Sequence, residues 1–565
     1  MRTEISSAQI DSFVEARDLY GFQNPFGNRI IPMPIQLAKP LPEILFITSY
    51  PPRECGIATY SQDLMNAIKE KFGQSFSLKI CALEAKEGNH VYPDEVKYVL
   101  QTTDLEQYDD FARKINADKD LNLIFIEHEF GLFGGEYGDY LLQFLVRIDK
   151  PVITTFHTVL PNPDMKRKAI VQAIVALSDG VIVMTKNSAA ILEKDYKIST
   201  EKIAIIAHGT HLVSACGNNK EKKTKFNLEN RLVLSTFGLL SSGKSIETAL
   251  DALPEIIKKF PNVMYLIIGK THPSVVKNEG EKYREFLQEK VENLNLQDNV
   301  RFINRYLSLP ELLEYLQLTD IYLFCSKDPH QAVSGTFAYA MSCGCPIIST
   351  PIPHAKELLN DGAGIIFDFQ NSKQLSKETI KLLSNEALLK EIRLNALHKI
   401  SPSAWQNAAI AHVELLQKYL GKKAVSLKYN LPEISLSHIK KLTTHEGMIQ
   451  FSAISMPDID SGYTLDDNAR ALIAVTKHFQ LTGELSDIHL IETYLNFIIF
   501  CQQYDGSFLN YVDDEGHFFA KNSDENLEDF VSYLTTAFGP ESPKPESPED
   551  MPQYKSLVRP FNPSP

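Results

Sequence analysis

The sequence predicts an α/β protein of two doubly wound, Rossmann-like domains facing each other across a cleft, with a partial helical region behind them. Three observations predict it. Short apolar, β-prone runs alternate with stretches of helical spacing from residue 43 onward. That pattern stops at a polar stretch, 217–225, and then starts again. Polar, glycine-containing loops follow the strands of both halves, at the carboxyl ends where open parallel sheets place ligands.

Composition narrows the function classes. At 565 residues the chain is too long for one core, so two or three domains are expected. With 44% hydrophobic and 23% charged residues it reads as globular, and no run reaches the roughly 18 apolar residues of a membrane span. A formal net charge of -14 without a basic stripe argues against nucleic acid as a partner, while leaving room for local basic pockets that take phosphate. The N-terminus carries acidic residues where a secretory signal has its basic and apolar regions, so a cytoplasmic location is expected. Seven scattered cysteines, with Cys343 and Cys345 at no metal or redox spacing, read as reduced thiols.

In chain order, residues 1–42 read as an extension ending in the Pro-rich IIPMPIQLAKPLP. The first domain, 43–215, opens with a strand at 43–49, a loop YPPRECGIATY and a helix with Leu64 and Ile68 on one face. Further strands are expected at 78–83 and within 121–130, 151–160, 180–192 and 202–211. The second domain, 216–400, repeats the pattern with RLVLSTF, NVMYLIIGK, NVRFINRYL, DIYLFCSK and CPIISTPI. A crossover helix follows at 401–424. Residues 425–530 read as helices joined by polar, aromatic loops, and 531–565 as a Pro-rich, charged and disordered tail.

The stretch 323–350, LFCSKDPHQAVSGTFAYAMSCGCPIIST, reads as strand, loop, helix, strand. Gly335 and Thr336 then open a helix, where unpaired N–H groups and the positive dipole end suit phosphate or another anion. A plain βα turn explains the same residues equally well. Other strand-end loops hold Gly56 with Arg53 and Thr59, Glu127-His128-Glu129 with Gly134-Gly135, His157, Gly238 with Lys244, Lys270-Thr271-His272, and Gln331. Each has an ordinary explanation: turn glycines, a solvated lysine at a helix start, a structural histidine at a strand end. Their joint occurrence is the stronger signal.

The ordered motifs PPRECGIATY, ITTFHT, SDGVIVMT, FGLLSSGKSIETALDAL, LIIGK, YAMSCGCPIIST and SAWQNAAIAHVELLQKYL span about 43–420. They resemble the retaining glycosyltransferases of family 4, which have the GT-B fold. The resemblance implies a nucleotide-sugar donor held mainly by the second domain, a carbohydrate acceptor held mainly by the first, no metal and no cofactor. It implies Gly56 in the loop facing the donor phosphates, Gly238 beside them, Lys244 on the diphosphate, and Gly335, Thr336 and Phe337 offering backbone N–H groups. Tyr339 would stand at the ribose position, His157 and Gln331 near the transferred sugar, and Glu127, His128 and Glu129 on the acceptor side. The helix containing Trp405 resembles the one that crosses back to the first domain.

The sequence departs from that family at three places. Leu239 replaces an arginine that follows the glycine of the FG pair, and Gln331 and Tyr339 replace a pair of glutamates. The Gln331 amide can still hydrogen-bond a sugar hydroxyl, whereas Tyr339 cannot grip two ribose hydroxyls as a carboxylate does. Two alternatives therefore stand: a GT-B phosphorylase using a sugar phosphate, hexose 1-phosphate, and a non-catalytic carbohydrate-binding or scaffold protein. In glycosyl transfer the leaving group gathers negative charge, which Lys244 and the helix end at Gly335 would meet. GYTLDDNARAL and DGSFLNYV resemble the opening of an α/α-toroid domain of carbohydrate-active proteins, with too few helices to complete one. Asp466-Asp467 reads equally as a sugar-binding pair or a helix cap. The DxD-like Asp458-Ile459-Asp460 falls after both α/β halves and carries little weight as a metal motif.

Overall fold

The computed structural model describes residues 41–85, 90–213, 219–421, 425–453, 456–520 and 522. The expected N-terminal extension, except its last two residues, and the expected tail lie outside the described residues.

The first sheet comprises β1 (Glu43–Thr48), β2 (Ser77–Glu84), β3 (Val96–Gln101), β4 (Leu121–His128), β5 (Val152–Phe156), β6 (Gly180–Val183) and β7 (Ile203–Ile205). Its order is β3-β2-β1-β4-β5-β6-β7, with every pair parallel. The second comprises β8 (Leu232–Phe237), β9 (Val263–Ile268), β10 (Val300–Ile303), β11 (Ile321–Phe324), β12 (Ile347–Ser349) and β13 (Ile365–Ile366). Its order is β10-β9-β8-β11-β12-β13, again parallel throughout. Strands such as VMYLII of β9 are apolar at every position because helices cover both faces of the sheet.

Both sheets reverse their strand order at one place, between β1 and β4 and between β8 and β11. A crevice opens beyond the carboxyl ends of the strands at such a switch point. The loops that leave those strands carry Gly56, Glu129, Gly238 and Gly335, so topology alone gathers most of the expected site.

Alternation along β4 divides the first domain into two cores. Ile124 and Ile126 face one, whereas Leu123 and Phe125 face the other, with Tyr60, Leu64 and Ile68 of the helix Gly56–Phe72. The helix Trp405–Leu420 completes that second core, burying Trp405, Ala408, Ala409, Val413, Leu416 and Leu420 at spacings of three to four residues. The chain thus crosses back after the second domain. Trp405 N–H donates to Thr210 O at 3.1 Å and Thr210 N–H to Ser403 O at 2.9 Å. Gly209 permits this approach: a Cβ there would lie 2.0 Å from the Trp405 ring.

Beyond residue 425 the expectation of helices and loops needs correction. The helices Leu465–Thr482 and Asp487–Cys501 are present, but they pack with an antiparallel sheet of β14 (Ile449–Ala453), β15 (Met456–Thr464) and β16 (Tyr511–Val512). Asp458 and Asp460 are exposed positions on β15. Asp467 N–H donates to Thr464 Oγ1 at 3.2 Å and Arg470 pairs with Asp466 at 2.7 Å, which is a capped helix start. Among the described residues, no helix is long and apolar enough to cross a membrane.

Candidate functional site

The second domain brings two glycines, one lysine and one helix end together. Gly238 after β8 and Gly269 after β9 have φ of +129° and +126°, a region that penalises side chains. A Cβ on Gly269 would sit 2.2 Å from Gly238 O, and one on Gly238 would sit 2.8 Å from Lys244 Nζ and 3.0 Å from Thr336 Cγ2. Lys244 is half-buried beside Gly238, with no carboxylate partner among the described residues. Desolvation pulls its pKa down to about 8. The helix Gly335–Ser342 starts at the same place. Ser334 Oγ accepts from Phe337 N–H at 3.4 Å, which leaves the first-turn amides of Gly335 and Thr336 for a ligand. That corrects the expectation for Phe337: its amide is capped, and its ring is buried against Phe324 and His354.

In the first domain, His157 follows β5 and its Nε2 lies 2.8 Å from Glu127 Oε2. Glu127 is 0% exposed, so it cannot touch an acceptor as expected. His128 points to the opposite face of the sheet and is boxed by Phe130, Phe133 and Phe156. Burial lowers its pKa to about 3. It is a neutral core histidine and not an acceptor ligand. Glu129 sits at the cleft end of β4, half-buried, and accepts from Thr158 Oγ1 at 2.5 Å. Gly56 is exposed as the first residue of its helix, whose cap is Cys55 Sγ. Gln331 is half-buried in the loop before Ser334, its amide donating to Val333 O at 3.4 Å.

Residues that sequence reasoning did not single out join the two halves. His208, after β7, has Nδ1 at 2.7 Å from Gly209 O, so that nitrogen carries the hydrogen and Nε2 is bare when the ring is neutral. Burial lowers its pKa to about 4. A Cβ on Gly335 would lie 3.0 Å from His208 Nε2. Tyr60 stands edge-on to both His157 and His208, with centroids at 4.9 and 5.1 Å. Lys244, Gly238, Thr336, Gly335, His208, Tyr60, His157 and Glu127 therefore form one continuous line of contacts across the cleft.

Tyr339 also needs correction. Its hydroxyl donates to Asp63 Oδ2 of the first domain at 2.5 Å, its ring stacks on His211 at 5.8 Å, and only 6% of it is exposed. His211 Nε2 approaches the same Asp63 oxygen at 3.2 Å. The phenol is committed to bridging the domains and is not free for a ribose. Glu54 with Lys270, and Thr59 Oγ1 with Tyr306 OH at 2.8 Å, bridge the same cleft. The signal for His208 and His211 in the sequence was their place in the HGTH after the last strand of the first domain, whereas Tyr60 and Asp63 lie within the helix Gly56–Phe72.

Two facing parallel sheets with the terminal helix returned to the first define the GT-B fold. Comparison with known proteins agrees. Residues 218–399 match the family model described as glycosyl transferases group 1. Spore coat protein SA of Bacillus subtilis is 27% identical over 168 residues, 29% of this chain and 43% of that protein. An uncharacterized glycosyltransferase of Methanocaldococcus jannaschii is 22% identical over 44% of this chain and 61% of its own length. The chain thus spans between about two fifths and three fifths of these curated relatives. Among solved structures, sucrose-phosphate synthase from Thermosynechococcus elongatus superimposes with a TM-score of 0.56 at 16% identity, covering 67% of this chain and all of that one. HepE of Anabaena in complex with UDP gives 0.53 at 16% identity, covering 66% and 100%.

Proposed function

We propose that this protein is a retaining, metal-independent glycosyltransferase that moves a hexosyl group from a nucleotide sugar to a carbohydrate or similar hydroxyl acceptor. The observation that carries this reading is Lys244: a half-buried ammonium beside Gly238 and Thr336, at the start of the helix Gly335–Ser342, with no carboxylate partner among the described residues. Such a cradle suits the diphosphate of a leaving nucleotide, whose charge grows as the anomeric bond breaks. The family match to residues 218–399 and the UDP bound by HepE support a nucleotide-sugar donor. His157 and Gln331 are the candidates for contacts to the transferred sugar, and Glu129 for the acceptor side. Calorimetric titration with UDP, GDP, ADP and their sugars tests the reading, and transfer to an acceptor with inverted configuration would refute the retaining part.

One observation favours a second reading. Tyr339, at the expected ribose position, is spent on Asp63, which suits a hexose 1-phosphate donor as in a sugar phosphorylase. Binding of hexose 1-phosphate but no nucleotide would select it.

A further inference from the structure

We propose that Glu127 is a positioning residue that acts through His157, fixing the imidazole so that its Nδ1 accepts a hydrogen bond from a neutral substrate hydroxyl. This rests on the glycosyl-transfer reading for its catalytic consequence, but its geometry stands alone. Along β4 the side chains of Leu123 and Phe125 enter the core beneath the helices Gly56–Phe72 and Trp405–Leu420. Glu127 is next on that face and is also fully buried, where a core would ordinarily carry an apolar residue. Placing a carboxylate there is costly unless it has a dedicated partner. Among the described residues its side-chain partner is His157, and Glu127 Oε1 has no hydrogen bond there.

The rest follows from donor and acceptor chemistry. An ionised carboxylate only accepts, so the hydrogen of the 2.8 Å contact belongs to His157 Nε2. Nδ1 of the neutral ring is then bare. The ring cannot turn freely: Tyr60 meets it edge-on at 4.9 Å, and His157 N–H is tied to His128 O at 3.0 Å. An imidazole pinned at one nitrogen, braced by a ring and 11% exposed at a cleft presents one acceptor in one direction.

The test uses the full chain with 15N-labelled histidine, the His157 signal being identified by its loss in His157→Gln. Neutral His157 should be the Nε2–H tautomer in the wild type and in Glu127→Gln, whose amide oxygen still accepts, and a mixture of tautomers in Glu127→Ala. Turnover should fall about 10- to 100-fold in Glu127→Ala with a smaller change in KM, and by no more than a few-fold in Glu127→Gln. An Nδ1–H tautomer in the wild type, readable without any variant, overturns the proposal. So does a folded Glu127→Ala with wild-type turnover. Absence of transfer by the wild type, with the Nε2–H tautomer present, overturns the transferase reading and leaves the Glu127–His157 pairing standing.

Discussion

The Lys244 ammonium, which has no carboxylate partner among the described residues, is held in the folded chain at a cost that an arriving anion removes. Its pKa of about 8 lies below the roughly 10.4 of an unfolded lysine. Between those values the unfolded chain holds a proton that the folded chain lacks, so through this group the ligand-free protein should gain stability as pH rises from about 8 to about 10. A bound phosphate should flatten that rise, and nucleotide affinity should weaken above pH 8 as the charge is lost. Melting curves and titrations across this range check both. Lys244→Ala should lower turnover by about two to three orders of magnitude with little change in melting temperature. Tyr339→Phe should cost about 1 to 3 kcal/mol in urea unfolding, because it strips one of two partners from a nearly buried Asp63. Tyr339→Glu should be worse, setting two carboxylates together. The cluster of Gly238, Lys244 and Gly335 was legible in the sequence because these residues sit in loops after apolar strands. The Asp63 to Tyr339 bond was not, since its partners are 276 residues apart and the pattern around Tyr339 pointed to a ribose instead.

At the level of elements, burial decided what could be foreseen. β1, β4 and β9 are built on apolar, almost wholly buried runs, and each appears where expected. β3 was missed because VKYVLQ lies at the sheet edge, with its side chains alternating between exposed and half-buried until Leu100. β15, MPDIDSGYT, was read as loop because most of its side chains face outward and its pairing with β14 is a backbone matter. The return of the helix Trp405–Leu420 was expected from resemblance alone; it docks by burying its apolar face in the first domain, and the side-chain-free surface at Gly209 admits Trp405. Gly209→Ala should therefore destabilise the protein by about 1 to 3 kcal/mol, as overpacking against a fixed aromatic does. Thermal unfolding compared with the equivalent change at Gly483, where a Cβ meets nothing within 4 Å, checks it; Gly483 has φ of +67°, so its own cost is strain alone.

For the molecule as a whole, the first domain is discontinuous: its last strand ends at Ile205, while the helix that closes its second core runs from Trp405 to Leu420. A chain ending at residue 400 should expose the apolar face of Tyr60, Leu64 and Ile68, melt at a lower temperature and aggregate. Supplying residues 401–421 as a separate peptide should restore much of the loss, and failure of that rescue would mean the helix is dispensable. The cleft bonds from Asp63, Thr59 and Glu54 connect the domains but do not fill this gap in the core. On the ribosome the consequence is a reversal of order. Roughly 215 residues, about 10 to 40 s of synthesis, separate β7 from the end of the closing helix. The domain made second is complete first, and the one made first must wait for it, half-covered, before it can finish folding.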